Sequence, residues 1–335
     1  MDVDIVVLWV DGSDPNWINV KNQYSSKMID DSNGVNRFRD LGLMRYWFRG
    51  IEQNAPWIRT IHFVTWGHLP NFLNINHPKL HVVRHEDYIP KEWLPTFSSH
   101  TLEMNMHRIS GLADHFVYFN DDTYLIRPMR KCDFFRNGLP CAQATEIPIG
   151  FIGKPEIWAF AAANDMGVIN DHYSKKNMDK SVQRKFLSYH YNWYDNVRTQ
   201  FLRILFPNYF TGFKSFHCPA AFLKETFKEL WLEEPELLSS TSNHKFRNKE
   251  DVNQWVAQWW QLVKGDFSPR KSNTCNFIIQ SDRIDAICKA IETGQYEMIS
   301  ISDPEYMDCD FEEAKQSLQK AFEKRFSVKS SFEKD

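Results

Sequence analysis

The stretch "FVYFNDDTYLIRP" (116–128) runs an apolar segment directly into Asn120, Asp121 and Asp122. Adjacent carboxylates repel one another and lose hydration when enclosed, so such a pair at a strand end needs a compensating cation. Hard oxygen ligands suit magnesium or manganese, and a dication held there could face a diphosphate. Asn-Asp-Asp is also a good turn sequence, and the motif alone leaves a plain turn open. A second acidic strand end lies in "WVDGSDP", where Asp11 precedes Gly12, which permits close backbone approach, and Asp14-Pro15, which fixes a turn. That loop could cradle a nucleotide, although it is neither a Walker loop nor a GxGxxG fingerprint.

Arg37 and Arg39 in "RFRD", Arg45 and Arg49 just after them, and Arg108 in "MHRI" supply cations to the first half. Arginine pairs bidentately with phosphate oxygens, which suits a diphosphate or a sugar phosphate. Among the 12 histidines, His107 stands four residues after Glu103 and would share a helix face with it. His190 lies among the aromatics of "LSYHYNWYDN", close to Asp195; such surroundings could hold a base or merely satisfy a buried imidazole.

These residues need elements to position them. "DIVVLWV" (4–10) reads as a central strand covered on both faces. "RFRDLGLMRYWFRGIEQNAP" (37–56) carries Leu43, Tyr46, Trp47 and Ile51 at helical spacing and stops at Asn54 and Pro56. Further strands are expected over 58–66 and 79–86, then a helix capped by Ser98 or Ser99 with Gly111 near its stop, then the strand "HFVYFN". This alternation predicts an α/β fold, in which ligands sit outside the carboxyl ends of strands. From about residue 151 the texture turns helical, with helices expected over 197–210 and 249–265 and a charged helix near the carboxyl terminus.

Composition narrows the function classes. With 40 Lys+Arg against 43 Asp+Glu and a net charge of −3, no basic field exists to recruit nucleic acid. Aromatic residues make up 15%; most belong in a core, and exposed Trp or Tyr would suit sugar rings. The 6 cysteines show no CxxC spacing, which indicates neither a zinc site nor a disulfide framework. The amino terminus lacks signal-peptide features, and no stretch approaches the roughly 20 apolar residues that span a bilayer. A cytoplasmic location is expected.

Together the pieces resemble the Stealth family of hexose-1-phosphate transferases, which includes bacterial capsular polysaccharide phosphotransferases and the catalytic subunit of the animal N-acetylglucosamine-1-phosphotransferase. "DIVVLWVDGSDPNW" looks like the first family block, and 37–74 continuing through "LPTFSSHTLEMNMHRISGLADHFVYFNDDTYL" looks like the second. "YHYNWYDNVRTQFLRILFPNYF" is similar to the third, although it carries only His190 before Asp195 where the family is richer in histidine. "FRNKEDVNQWVAQWWQLVKG" is similar to the fourth, with Arg247, Asp251 and Asn253.

The resemblance implies a Rossmann-like or GT-A-like, mostly parallel sheet flanked by helices, with a largely helical second half. It implies one catalytic domain over 1–270, divided into a nucleotide-sugar and metal half (1–150) and an acceptor half (151–270), followed by a helical extension (271–335). The implied reaction moves a hexose 1-phosphate from a nucleotide diphosphosugar, commonly a UDP-sugar, to a glycan hydroxyl and releases UMP. Mg²⁺ or Mn²⁺ is expected on Asp121 and Asp122. Asp11, Gly12, Arg37, Arg39, Arg45, Asn120 and Arg247 are expected around the donor, with Arg108, Asp122, His190 and Asp195 as catalytic groups. The implied partners are the nucleotide-sugar, a glycan acceptor that is often lipid-linked in this class, and a polysaccharide assembly complex at the inner face of the membrane. A glycosyltransferase releasing UDP, or a non-catalytic carbohydrate-binding protein, would share many of these features.

Overall fold

Five consecutive buried residues at the amino terminus form β1 (Asp4–Leu8), flanked on both sides by parallel partners. On one side lie β2 (Ile61–Thr65) and β3 (Leu80–Arg84); on the other lies β4 (His115–Phe119). An antiparallel fifth strand, β8 (Ala220–Leu223), completes the order β3-β2-β1-β4-β8. The computed structural model describes residues 1–25, 38–150, 156–304 and 309–334, so Arg37 lies outside the described residues. The expected α/β class and the four expected strands are present.

Side chains alternate across this sheet. Ile5, Val7, Phe63, Val117 and Phe119 enter one core, while Val6, Leu8, Val64, Phe116 and Tyr118 enter another, as the two-residue period of a strand requires. A sheet with helices on both faces leaves functional groups only its strand ends.

The helices are α1 (Pro15–Tyr24), α2 (Met44–Asn54), α3 (His85–Tyr88), α4 (Ser99–Met104), α5 (Lys131–Phe134), α6 (Ile157–His172) and α7 (Lys180–Phe186). They continue with α8 (Trp193–Leu205), α9 (Lys224–Glu233), α10 (Pro235–Asn243), α11 (Gln254–Lys264), α12 (Ile284–Thr293) and α13 (Phe311–Arg325). Asn253 caps α11 by accepting the Trp255 N–H at 2.8 Å, and Gly265 closes it with a φ of 88°.

Residues 271–335 differ from the helical extension expected. They supply β10 (Thr274–Ile278) and β11 (Met298–Ser302), and β11 pairs antiparallel with β5 (Thr123–Leu125), which immediately follows the Asp pair. A third small sheet joins β6 (Phe135–Arg136), β7 (Leu139–Ala142) and β9 (Ser268–Pro269). Ile287, Ile299, Leu318, Phe322 and Phe326 are buried in the same core as Ile5 and Phe63. Arg49 fastens this late segment to α2. Its guanidinium is 5% exposed and donates to both Glu333 oxygens (2.7 and 3.1 Å), to Glu323 and to the Phe326 carbonyl. Arg49 is therefore a structural clamp rather than a phosphate contact, and removing one partner of such a pair costs about 3–5 kcal/mol.

Candidate active site

β1 and β4 are neighbours although β2 and β3 were added on the far side of β1, so the strand order reverses between them. In open α/β sheets the crevice at such a point, outside the carboxyl ends, is where ligands bind. Val7 pairs with Phe119, which sends Asp11 and the Asn120-Asp121-Asp122 turn out of the same edge of the sheet. The turn is closed by Thr123, whose N–H and hydroxyl both donate to the Asn120 carbonyl (3.2 and 2.7 Å). Asp122 accepts the Ile301 N–H through its own carbonyl (2.9 Å). The two acids thus stand at the joint between the central sheet and the β10-β11-β5 sheet.

Asp121 is open to solvent by area yet surrounded by protein atoms. That desolvation, with the like charges of Asp122 and Asp40, raises its carboxyl to about 7. Asp40 is itself raised by desolvation, with a smaller push from Asp11. Three acidic segments distant in sequence therefore feel one another at this edge. Asp11 is held locally, its carboxylate accepting from the Ser13 N–H (2.9 Å) and hydroxyl (2.6 Å) and its N–H donating to His68 Nε2 (2.7 Å). Beside it opens a recess of about 380 Å³ lined by Trp9, Asp11, Asp40, Arg45, Tyr46 and Phe72 among others.

His217 meets Asp122, with Nε2 at 2.8 and 3.0 Å from the two carboxylate oxygens. The topology explains the approach: β8 runs antiparallel to β4, with Ala220 opposite Tyr118, so the residues that precede β8 arrive at the end where β4 finishes. Burial opposes the charged imidazole and the Asp122 carboxylate favours it; the carboxylate prevails and the His217 pKa is raised. The charge of Arg247 also acts on both His217 and Tyr118, which puts its guanidinium near this edge.

Arg247 donates to the Ser99 hydroxyl at 2.7 Å. Its loop is organised by Asp251, fully buried, which accepts from His100 (2.9 Å), His244 (2.6 Å) and the Asn248 N–H (2.8 Å). Asn120 is fixed by the Tyr118 hydroxyl, 2.6 Å from its Oδ1 and 3.0 Å from Glu103.

Other expected residues have different surroundings. Gly12 is needed because a Cβ there would lie 1.9 Å from the Phe38 carbonyl oxygen; the close approach is made by the protein's own backbone. Arg39 binds Asp303 with two hydrogen bonds (2.7 and 2.6 Å) and lies over Phe311. Arg45 lines the recess and reaches Glu333 at 3.3 Å. Arg108 donates to Asn105 and stacks on Trp231 at 4.8 Å. The chain then passes Ala113, whose N–H donates to Asp4 at the opposite edge of the sheet, so Arg108 is not gathered with the acids. Glu103 is turned toward Tyr118, while His107, with its pKa lowered to about 4 by burial and nearby cations, faces Phe227 and Trp231; the two do not pair.

His190 is exposed against Tyr189. Asp195 is fully buried and accepts from Arg198 at 2.6 Å. Among the described residues neither is paired with Asp122 or His217, and Asp195 ties α8 to the body by accepting from Gln143 at 3.4 Å. The sequence alone assigns no role to Asp40, nor to His217 among the 12 histidines. The available signals were the acid in "RFRD" ahead of a helix, and a histidine three residues before the apolar run "AAFL".

A family model described as Stealth protein CR2, conserved region 2, matches residues 37–142, and one described as Stealth protein CR1, conserved region 1, matches residues 1–29. The capsular polysaccharide phosphotransferase WcwK of Streptococcus pneumoniae is 38% identical over 99% of this chain and 98% of its own. The exopolysaccharide phosphotransferase cps2G of Lactiplantibacillus plantarum is 34% identical over 99% and 96%. Among solved structures, the galactosyltransferase LgtC with donor and acceptor sugar analogues aligns over 95% of each chain at 10% identity with a TM-score of 0.36, too low to bear on the assignment. Both conserved regions are present and the similarity runs along nearly the whole length, so the chain belongs to the Stealth family.

Proposed function

We propose that this protein transfers a hexose 1-phosphate from a nucleotide diphosphosugar, in the first instance a UDP-sugar, to a hydroxyl of a glycan. An acceptor oxygen attacks the β-phosphorus, the bond to UMP breaks, and the sugar C1–O bond survives into a phosphodiester. The observation that carries this reading is the Asp122–His217 pair, open to solvent beside Asp121 and Asp40 at the strand-order reversal. The names of the full-length relatives agree with it.

A carboxylate can only accept, so the tautomer that satisfies Asp122 carries hydrogen on His217 Nε2 and leaves the Nδ1 lone pair as base. His217 would take the proton of the attacking hydroxyl there, and Asp122 would orient the ring and stabilise the imidazolium. Arg247 would face phosphoryl oxygens, where charge builds in the transition state. Among the described residues no three His, Cys, Asp or Glu side chains form a cage for an ion. Magnesium needs none, since it is usually held by one or two carboxylates, waters and the substrate's own phosphates. The mutual repulsion that raises Asp121 fits such a role, and Asp121 with Asp122 would hold Mg²⁺ or Mn²⁺. When bound, that ion would neutralise pyrophosphate charge.

The test is to incubate purified protein with UDP- and GDP-sugars, Mg²⁺ and short glycans, and to analyse the products by mass spectrometry and ³¹P NMR. UMP with a phosphodiester resonance is expected; UDP with a sugar-only product would overturn the reading.

A further inference from the structure

Helix α8 is built inside out. The residues it turns to the protein are Asp195, Thr199 and Leu202. Two of these three are polar, and they are satisfied there: Asp195 takes the Arg198 guanidinium, and the Thr199 hydroxyl accepts the Glu146 N–H at 3.1 Å. The opposite side presents Trp193, Tyr194, Val197, Phe201, Ile204 and Leu205, between 47% and 76% exposed. At 100° per residue these six fall within one face. Tyr189 and Tyr209 extend it beyond both ends of the helix, at 88% and 62% exposed. Scattered surface apolar residues need no explanation, whereas a contiguous stripe of this kind marks a covered surface.

The charges around the stripe say what covers it. Between 180 and 214 the one acid, Asp195, is buried, while Lys180 and Arg184 are exposed cations; Lys185 is taken up by the Gly265 and Phe267 carbonyls. Arg198 borders the stripe beyond Leu205 with its guanidinium held by Asp195 and the Glu146 carbonyl, and at the other end of the helix exposed Lys271 meets Asn192, the residue before Trp193, at 2.8 Å, where a long stem can lie along apolar surface. A second copy of this chain would set cation against cation, since an isologous interface opposes like patches. An anionic lipid surface neutralises them, and Trp and Tyr favour the level of the headgroups. Among the described residues no helix is long and apolar enough to cross a membrane, so α8 would lie in the interface.

We propose that α8 is an in-plane anchor that seats the protein on an anionic bilayer. The seat lies close to the candidate site in the chain, because His217 follows Leu205 by twelve residues through Phe213, which bridges Glu146.

The test uses the full chain and no sugar substrate, so it stands or falls apart from the proposed reaction. Vesicles of phosphatidylcholine with phosphatidylglycerol, or of phosphatidylcholine alone, are floated with wild-type protein and with the double variant F201E/I204E. Wild type should float with the anionic vesicles, less with neutral ones and less in 1 M salt, and the variant should lose at least about tenfold in affinity at unchanged Tm. Should the variant not fold, the fluorescence difference between wild type and Trp193→Phe isolates one indole, and it should shift to the blue on adding anionic vesicles. No flotation of wild type, equal flotation of the variant, or a lipid-independent dimer that the variant abolishes would each overturn the proposal.

Discussion

Asp122 meets His217 at 2.8 Å and Asp251 meets His100 at 2.9 Å, yet the side chains of the first pair are 28% and 33% exposed and those of the second 0% and 4%. Similar contacts here do different work. Asp251 has a second imidazole and a backbone N–H on its remaining lone pairs and no room for a ligand, so it holds the loop that carries Arg247. Asp122 has neighbours that repel it and solvent before it. On the proposed reading, reactivity at this edge follows from what each carboxylate still lacks, and pairing with histidine does not by itself mark a catalytic group.

The comparison breaks most directly at Asp122 and His217. Asp122→Asn and His217→Ala should each lower kcat by about 10²–10⁴ with little change in Tm, measured by UMP release and thermal unfolding. Near wild-type turnover in either variant would remove the pair from the mechanism. Its charge state is a sharper probe. His217 titrates above its ordinary 6.5 because of Asp122, so the rate should fall as pH drops through that raised value. In Asp122→Asn the imidazole should titrate below 6.5, since burial, the largest influence, and the Arg247 charge then oppose only the more distant Glu103; its NMR titration would show this without turnover. In stability the raised pKa has the opposite sense: the pair's contribution is complete below 6.5 and is lost as pH rises through the folded value.

Next in size is Asp251→Ala, which leaves two imidazoles and the Asn248 N–H without their acceptor. A loss of about 3–5 kcal/mol is expected, read as a drop in denaturant midpoint. An unchanged midpoint would mean that the buried pair is no more structural than the open one.

The smallest effect has the opposite sign. Asp121 binds protons more readily folded than unfolded, so the folded state loses stability as pH rises from about 4 to about 7. After discounting for solvent around the side chain, Asp121→Asn should gain on the order of 1 kcal/mol at pH 8 without added metal. The gain should vanish at pH 4; a gain equal at both pH values would put its origin elsewhere than in charge.

The sequence showed β1, β2 and β4 clearly, because buried parallel strands read as mostly apolar runs, and with them the acids at the ends of β1 and β4; it showed the half-exposed edge strand β3 only through its paired valines. It hid His217, whose partner is 95 residues away and whose position depends on β8 running antiparallel, which no local pattern encodes. Arg49 and Asp195 share a feature that the sequence does not display, since each is buried and already bonded by the protein's own groups. A charged residue beside an apolar helical stripe looks like a ligand in sequence, and only depth tells whether the protein itself has already satisfied it. Of the strands in the last segment, β10 escaped because "TCNFI" is short, half-polar and half-exposed, a weak signal beside the charged helix that follows.

Arg49 finds its buried partner 284 positions later. At a ribosomal pace of about 5–20 residues per second, roughly 15 to 60 s separate the emergence of the two. Throughout that interval α2 must wait with an unmatched guanidinium and with Phe48 uncovered on the side that Phe332 later closes. Nascent chains halted before residue 326 should therefore be cut by protease within α2 and should recruit chaperones that hold apolar surface, and both susceptibilities should disappear together once Glu333 has left the exit tunnel.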